Sequence, residues 1–91
     1  MQNKYKKKNI VLLGATGSIG CSTLSLLRKN KNLFNLIGVS AHKNAKLLSK
    51  IVNEFNVHNV VLSNEENIDD YYGKYSLQTG SLSLTNLAIL K

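Results

Sequence analysis

Proline and tryptophan are absent from this 91-residue chain, cysteine and methionine occur once each, and no aspartate or glutamate precedes Glu54. One cysteine excludes an internal disulfide. With no second thiol or histidine cluster near it, Cys21 reads as a small packed residue kept reduced. No proline-rich linker and no internal repeat divides the chain, so it reads as one small domain, too short for a two-lobed enzyme. No apolar run approaches the roughly 18 to 20 residues that a bilayer span requires. Residues 1–8 are basic, but the apolar segment behind them, Ile10-Val11-Leu12-Leu13, ends at a glycine. That pattern is a solvated lead-in to a first strand and not a secretory signal, which gives a cytoplasmic expectation, or a plastid-type compartment in a eukaryote.

The missing acids leave the first half of the chain strongly basic. Lys4, Lys6, Lys7, Lys8, Arg28, Lys29, Lys31, Lys43, Lys46 and Lys50 are unopposed there, and the net charge is +7. Such a half attracts polyanions. A nucleic-acid module is therefore a rival to a phosphorylated small molecule, although no helix-turn-helix, zinc or RNP-type pattern accompanies the charge. Hydrophobic residues at 43% and charged residues at 19% are globular proportions and exclude disorder of the whole chain.

What is present centres on Gly14-Ala15-Thr16-Gly17-Ser18-Ile19-Gly20. An apolar run precedes it and a helical pattern follows, so it joins a buried strand to a helix. Gly14 allows a tight turn out of the strand, Gly17 lets backbone approach a pyrophosphate, and Gly20 lets the helix pack closely. The N–H groups from Thr16 to Ile19 and the helix dipole then favour an anion, with the Thr16 and Ser18 hydroxyls as further donors. The spacing is G-x-x-G-x-x-G and not the commoner G-x-G-x-x-G, so its flanking strand and helix carry much of the inference.

Further along, Ile19, Thr23, Leu26 and Leu27 predict one face of a helix ending near Asn30-Lys31-Asn32. Phe34–Ala41 reads as a second buried strand. Leu47, Leu48, Ile51, Val52 and Phe55 mark an amphipathic helix, with Asn44 as its N-cap. Val57–Leu62 is a third strand. This βαβαβ order predicts an α/β fold, one Rossmann-like half of a doubly wound parallel sheet with right-handed crossovers. Glu65, Glu66, Asp69 and Asp70 suggest a solvated helix start more than metal ligands, and Tyr71-Tyr72-Gly73 breaks it. Tyr75–Gln78 reads as a short edge strand. Leu84, Leu87 and Ala88 share a face of a last helix, and a fourth parallel strand is expected only after Lys91.

In NAD-binding folds a carboxylate about 20 residues past the glycine loop holds the ribose 2′-hydroxyl. Ser40, Ala41, His42, Lys43 and Asn44 stand there instead. Lys43 and the Asn44 amide suit a 2′-phosphate, which favours NADPH over NADH. His42 is open between stacking on adenine, touching the phosphate and facing solvent; His58 precedes strand three, away from the loop, and is expected to have no role.

The run from Ile10 through Thr16-Gly17-Ser18-Ile19-Gly20 to Leu24, then Val39–Asn44 and Glu54-Phe55, resembles the N-terminal part of 1-deoxy-D-xylulose 5-phosphate reductoisomerases. The resemblance runs from about Lys8 to Leu62 and fades beyond Ser63. It implies an NADPH- and divalent-metal-dependent conversion of 1-deoxy-D-xylulose 5-phosphate to 2-C-methyl-D-erythritol 4-phosphate in non-mevalonate isoprenoid synthesis, by a homodimer. It also implies that Thr16, Gly17, Ser18 and Ile19 bind pyrophosphate, and that Lys43 and Asn44 bind the 2′-phosphate. His42 departs from the family's usual glycine, and its side chain would crowd the adenosine. The family's metal carboxylates, substrate-phosphate ligands and lid lie downstream of anything in this sequence. The expectation is an incomplete cofactor domain over 9–91, an N-terminal fragment or truncated gene product, inactive alone and marginally stable. Aspartate-semialdehyde dehydrogenases and extended short-chain dehydrogenases share a similar loop, but Ser18-Ile19-Gly20-Cys21 and Lys43-Asn44 fit the latter less well, and Cys21 does not stand in for the catalytic cysteine of the former.

Overall fold

The computed structural model describes residues 7–89; Lys4, Lys6 and the rest of residues 1–6 lie outside them. Four parallel strands form one sheet in the order β1-β2-β3-β4: β1 is Lys8–Leu12, β2 Phe34–Ala41, β3 Asn59–Leu62 and β4 Leu77–Thr79. Helix α1 (Ser18–Lys29) joins β1 to β2, and α2 (Ala45–Phe55) joins β2 to β3. The expected α/β arrangement is thus present. Lys8, assigned above to the lead-in, pairs with Phe34 as the first residue of β1.

The core lies between the sheet and these two helices. Leu24 and Leu27 of α1 and Leu48, Ile51 and Val52 of α2 pack with Leu36, Val39, Val60 and Leu62. In α2 the observed buried stripe is the expected one, with Leu47 and Phe55 at its margins. Asn44 caps that helix as anticipated, its Oδ1 accepting the Leu47 N–H at 3.1 Å. At the other end Asn56 adopts a left-handed conformation, φ 56°, and its N–H reaches the Val52 carbonyl. Asparagine tolerates that geometry better than most side chains.

The buried stripe of α1 differs from the expected one by a step around the helix. Gly20, Leu24 and Leu27 face inward, whereas Ile19 is 83% exposed and Leu26 62%. Both stripes have helical spacing; Gly20 selects between them. A Cβ there would lie 2.4 Å from the Gly14 carbonyl oxygen, so only glycine lets the helix seat against the turn. Cys21 is consequently exposed, not packed. It sits one residue beyond the contact stripe.

The fourth parallel strand comes earlier than expected. Leu77–Thr79 pairs with Val60–Leu62 in parallel, so the short edge strand and the fourth strand are the same element. Its crossover is not an α-helix: Glu65–Asp70 forms a kinked 3-10 segment, followed by extended chain. The Tyr72 N–H bonds to the buried Ser49 hydroxyl at 2.8 Å, and the Lys74 N–H to Asn53 Oδ1 at 2.8 Å. These contacts fasten the crossover to α2 without helical periodicity. Finally α3 (Ser81–Ala88) packs on β2, β3 and β4, and its Leu87 lies outside the cluster that α1 and α2 cover. Leu87 is its buried residue and packs on Gly38; Leu84 is half-buried and Ala88 exposed, so only part of the expected face is used.

Candidate functional site

The site is built at the carboxyl ends of β1 and β2, where open parallel sheets bind ligands. Gly14 leaves β1 with φ +67°, a conformation open to glycine, and Ala15 is fully buried beneath the turn. The turn closes through the Gly17 N–H to the Gly14 carbonyl at 3.1 Å. It is also tied to the neighbouring strand. Ser40 in β2 accepts the Gly14 N–H on its hydroxyl at 3.0 Å and the Ala15 N–H on its carbonyl at 2.7 Å.

Helix α1 begins here with Gly17 as its N-cap, and no side chain caps it. The first helical N–H with a backbone acceptor is that of Cys21, to the Gly17 carbonyl at 2.8 Å. Among the described residues, the N–H groups of Ser18, Ile19 and Gly20 therefore have no backbone acceptor. Unpaired donors and the positive end of the helix dipole form an anion cradle. Nothing lies within 3.4 Å of a Cβ built at Gly17, where Gly14 O at 3.5 Å is the nearest atom. That open backbone is what close approach of a pyrophosphate needs. Gly14, Thr16, Gly17, Ser18, Ile19 and Gly20 are thus gathered in one turn, with Ile19 projecting outward.

His42, Lys43 and Asn44 form the turn from β2 into α2, and all three are exposed. The backbone of this turn is firmly held. The His42 carbonyl accepts the Asn64 N–H at 2.9 Å, and the Lys43 carbonyl accepts the Ala45 N–H at 2.8 Å and Asn67 Nδ2 at 3.2 Å. Capping uses Oδ1 of Asn44, and among the described residues its amide nitrogen has no acceptor. His42 Nδ1 lies 3.0 Å from the Ser63 hydroxyl at the end of β3.

The sequence places Ser40 at the end of the second strand but does not reveal its tie to the glycine turn, nor the contacts of Ser63 and Asn67 with the 42–44 turn. A hydroxyl within the apolar run Gly38-Val39-Ser40-Ala41 was the available signal for Ser40, because a buried polar atom requires a partner. His58 is remote from this site and stacks on Tyr75, ring centroids 4.1 Å apart. A concavity of about 310 Å³ lies at the opposite end of the strands, between Asn35, Asn56, His58 and Asn59. Nothing in it resembles a phosphate cradle. Among the described residues, no three His, Cys, Asp or Glu side chains gather where they could hold a metal ion, and no helix is long and apolar enough to cross a membrane. The described residues therefore do not fit a metal site.

Residues 10–88 match the family model of 1-deoxy-D-xylulose 5-phosphate reductoisomerase. The reductoisomerase of Thermotoga maritima is 48% identical over 65 residues, 71% of this chain and 17% of the relative. That of Clostridium acetobutylicum is 49% identical over 55 residues, 60% of this chain and 14% of the relative. The chain thus spans about a sixth of the length of these curated relatives. Among solved structures, the Zymomonas mobilis reductoisomerase in complex with NADPH superposes with a TM-score of 0.85 at 27% identity, over 93% of this chain and 24% of that one. These matches are all to reductoisomerases, and the family-model match runs past Ser63, where the motifs themselves fade. Sheet order, glycine turn and family model agree: the chain belongs to the 1-deoxy-D-xylulose 5-phosphate reductoisomerase family.

Proposed function

We propose that this chain is the NADPH-binding N-terminal part of a 1-deoxy-D-xylulose 5-phosphate reductoisomerase. The observation that carries the proposal is the tie from Gly14 and Ala15 to Ser40. It holds the glycine turn beside the carboxyl end of β2, next to the Lys43-Asn44 turn. One ligand with phosphates at two separated points would engage both turns.

In this reading the N–H groups of Ser18, Ile19 and Gly20 and the hydroxyls of Thr16 and Ser18 bind the pyrophosphate, with Gly14 and Gly17 giving backbone access. Lys43 and the Asn44 amide bind the 2′-phosphate, and His42 stands beside them. When bound, NADPH supplies a hydride to the carbonyl substrate. The residues of this chain bind and orient the dinucleotide; the sugar-phosphate site, the divalent metal, the homodimer contacts and the full conversion belong to the whole enzyme, in a cytoplasmic or plastid-type compartment.

The test is a ¹⁵N–¹H correlation spectrum of the protein titrated with NADPH and separately with NADH. Shifts of the Gly14, Gly17 and Gly20 amides with NADPH at concentrations where NADH has little effect are expected. Dispersed spectra indifferent to both nucleotides would overturn the reading and favour a basic polyanion-binding module, whose affinity should fall steeply with salt.

A further inference from the structure

The feature this function leaves unused is the contact between His42 and Ser63. His42 follows the last residue of β2, and its ring reaches across to the end of β3, where Nδ1 lies 3.0 Å from Ser63 Oγ. The same hydroxyl lies 3.5 Å from the Ala41 carbonyl oxygen. In the imidazolium form Nδ1–H donates to this hydroxyl, whose own proton can turn toward Ala41. That fixes the ring and leaves Nε2 without a partner among the described residues, on the turn that carries Lys43. The backbone beneath is immobilised on both strands: the Ala41 carbonyl accepts the Ser63 N–H at 3.0 Å, and the His42 carbonyl accepts the Asn64 N–H at 2.9 Å.

We propose that His42 is a second contact for the 2′-phosphate of NADPH, with Ser63 as its positioning residue, so that selectivity for NADPH over NADH increases as the solution becomes more acidic. This rests on the reading that the Lys43-Asn44 turn receives the 2′-phosphate. Histidine is the side chain whose charge ordinarily changes between pH 5 and 8. In its cationic form both ring nitrogens donate: Nδ1–H to Ser63, and Nε2–H outward to an anion. The charged groups on the surrounding elements are Lys43 on the same turn, Lys46 in the first turn of α2, and Glu65 and Glu66 in the 3-10 segment after β3. Glu65 accepts a hydrogen bond from Thr79 Oγ1 at 3.1 Å, and the glycine turn 14–20 carries no charged side chain. Among the described residues His42 forms no ion pair, so its second nitrogen is left for the ligand.

The experiment measures dissociation constants of NADPH and NADH at pH 6 and pH 8 for the native protein, His42→Asn, His42→Gly and Ser63→Ala, with circular dichroism to confirm folding. Because the ligand phosphate also titrates, the readout is native affinity for NADPH divided by variant affinity at each pH. Relative to either His42 variant, this ratio should rise about three- to fivefold from pH 8 to pH 6, the scale of one exposed charge pair. The corresponding ratio for NADH should stay flat. Ser63→Ala should retain part of the rise, since the ring keeps its charge and loses its alignment. A ratio independent of pH, with NADPH still preferred, would overturn the role of His42 alone. Tighter NADPH binding by His42→Gly at both pH values would do so too, making the ring an obstruction. Absence of any NADPH preference in the native protein would instead overturn the assignment of the 2′-phosphate to this turn.

Discussion

The hydroxyl of Ser40 accepts the Gly14 N–H at 3.0 Å across 26 residues of sequence, joining the start of the phosphate turn to the neighbouring strand. Ser40 is 3% exposed, so the bond is shielded from water on the serine side. Ser40→Ala should therefore cost about 1 kcal/mol of stability, the typical worth of one such bond, and weaken NADPH binding because the turn is no longer held. Ser40→Thr keeps the hydroxyl and should recover both. Urea denaturation and a fluorescence titration of bound NADPH would separate these effects; normal cofactor affinity in a folded Ser40→Ala protein would sink the idea that the tie preorganises the turn.

Gly17 and Gly20 should respond differently to the same substitution. A Cβ at Gly20 meets the Gly14 carbonyl oxygen at 2.4 Å and Ala15 backbone atoms at 2.8 Å, none of which can yield without moving the turn. Gly20→Ala should destabilise by about 1–3 kcal/mol, the usual range for overpacking. At Gly17 the nearest atom is 3.5 Å away and φ is −78°, acceptable for alanine. Gly17→Ala should stay within about 0.5 kcal/mol of the native stability, yet lose NADPH because the new methyl stands where the pyrophosphate must approach. Paired thermal melts with and without NADPH would check both.

What could be read from the sequence follows from whether a local pattern had competitors. The α2 stripe Leu47, Leu48, Ile51, Val52 and Phe55 had none, and the Asn44 cap followed from the same pattern. In α1, Leu24, Leu26 and Leu27 support two neighbouring stripes, and only the contact of Gly20 with Gly14 decides between them. That contact is tertiary, so Ile19, Leu26 and Cys21 were misplaced together. The crossover to β4 was obscure because its partners, Ser49 and Asn53, belong to α2 and bond backbone N–H groups from afar. The contacts of Ser40 and Ser63 were hidden for a related reason: a serine near a strand end gives no periodic signal until its partner across the sheet is known.

The two core helices are linked outside the core by Arg28 and Glu54, with Arg28 Nη2 donating to Glu54 Oε1 at 2.8 Å and Nε donating to Oε2. The hydrogen bond from Arg28 holds the Glu54 carboxyl below its ordinary 4.5. A carboxyl lowered by folding stabilises the fold above that ordinary value, and the contribution is lost as pH falls through the lowered one. Both side chains are substantially exposed, 44% and 34%, so the contribution should be at most about 1 kcal/mol. Glu54→Gln should accordingly destabilise slightly at pH 7 and flatten the acid limb of a stability-against-pH curve. The difference from native should shrink below pH 4.5 and in high salt. An unchanged difference at low pH would show that the effect of Glu54 does not come from its charge.

Lys43 offers the sharpest separation of cofactor choice from folding. Its structural bonds run through its carbonyl oxygen, to the Ala45 N–H and Asn67 Nδ2, while its side chain is exposed. Lys43→Ala should keep the turn and the melting temperature. A hydrogen bond to a charged group is worth about 1.5–3 kcal/mol, so loss of the ammonium should weaken NADPH binding about tenfold or more. NADH has no 2′-phosphate and should bind as before. Lys43→Asp extends the argument, because a carboxylate repels the phosphate and accepts a hydrogen bond from a free ribose hydroxyl. The preference should then reverse toward NADH. Equal losses for both nucleotides in Lys43→Ala would mean that the lysine acts through the general positive field of the basic half and reads nothing specific on the ribose.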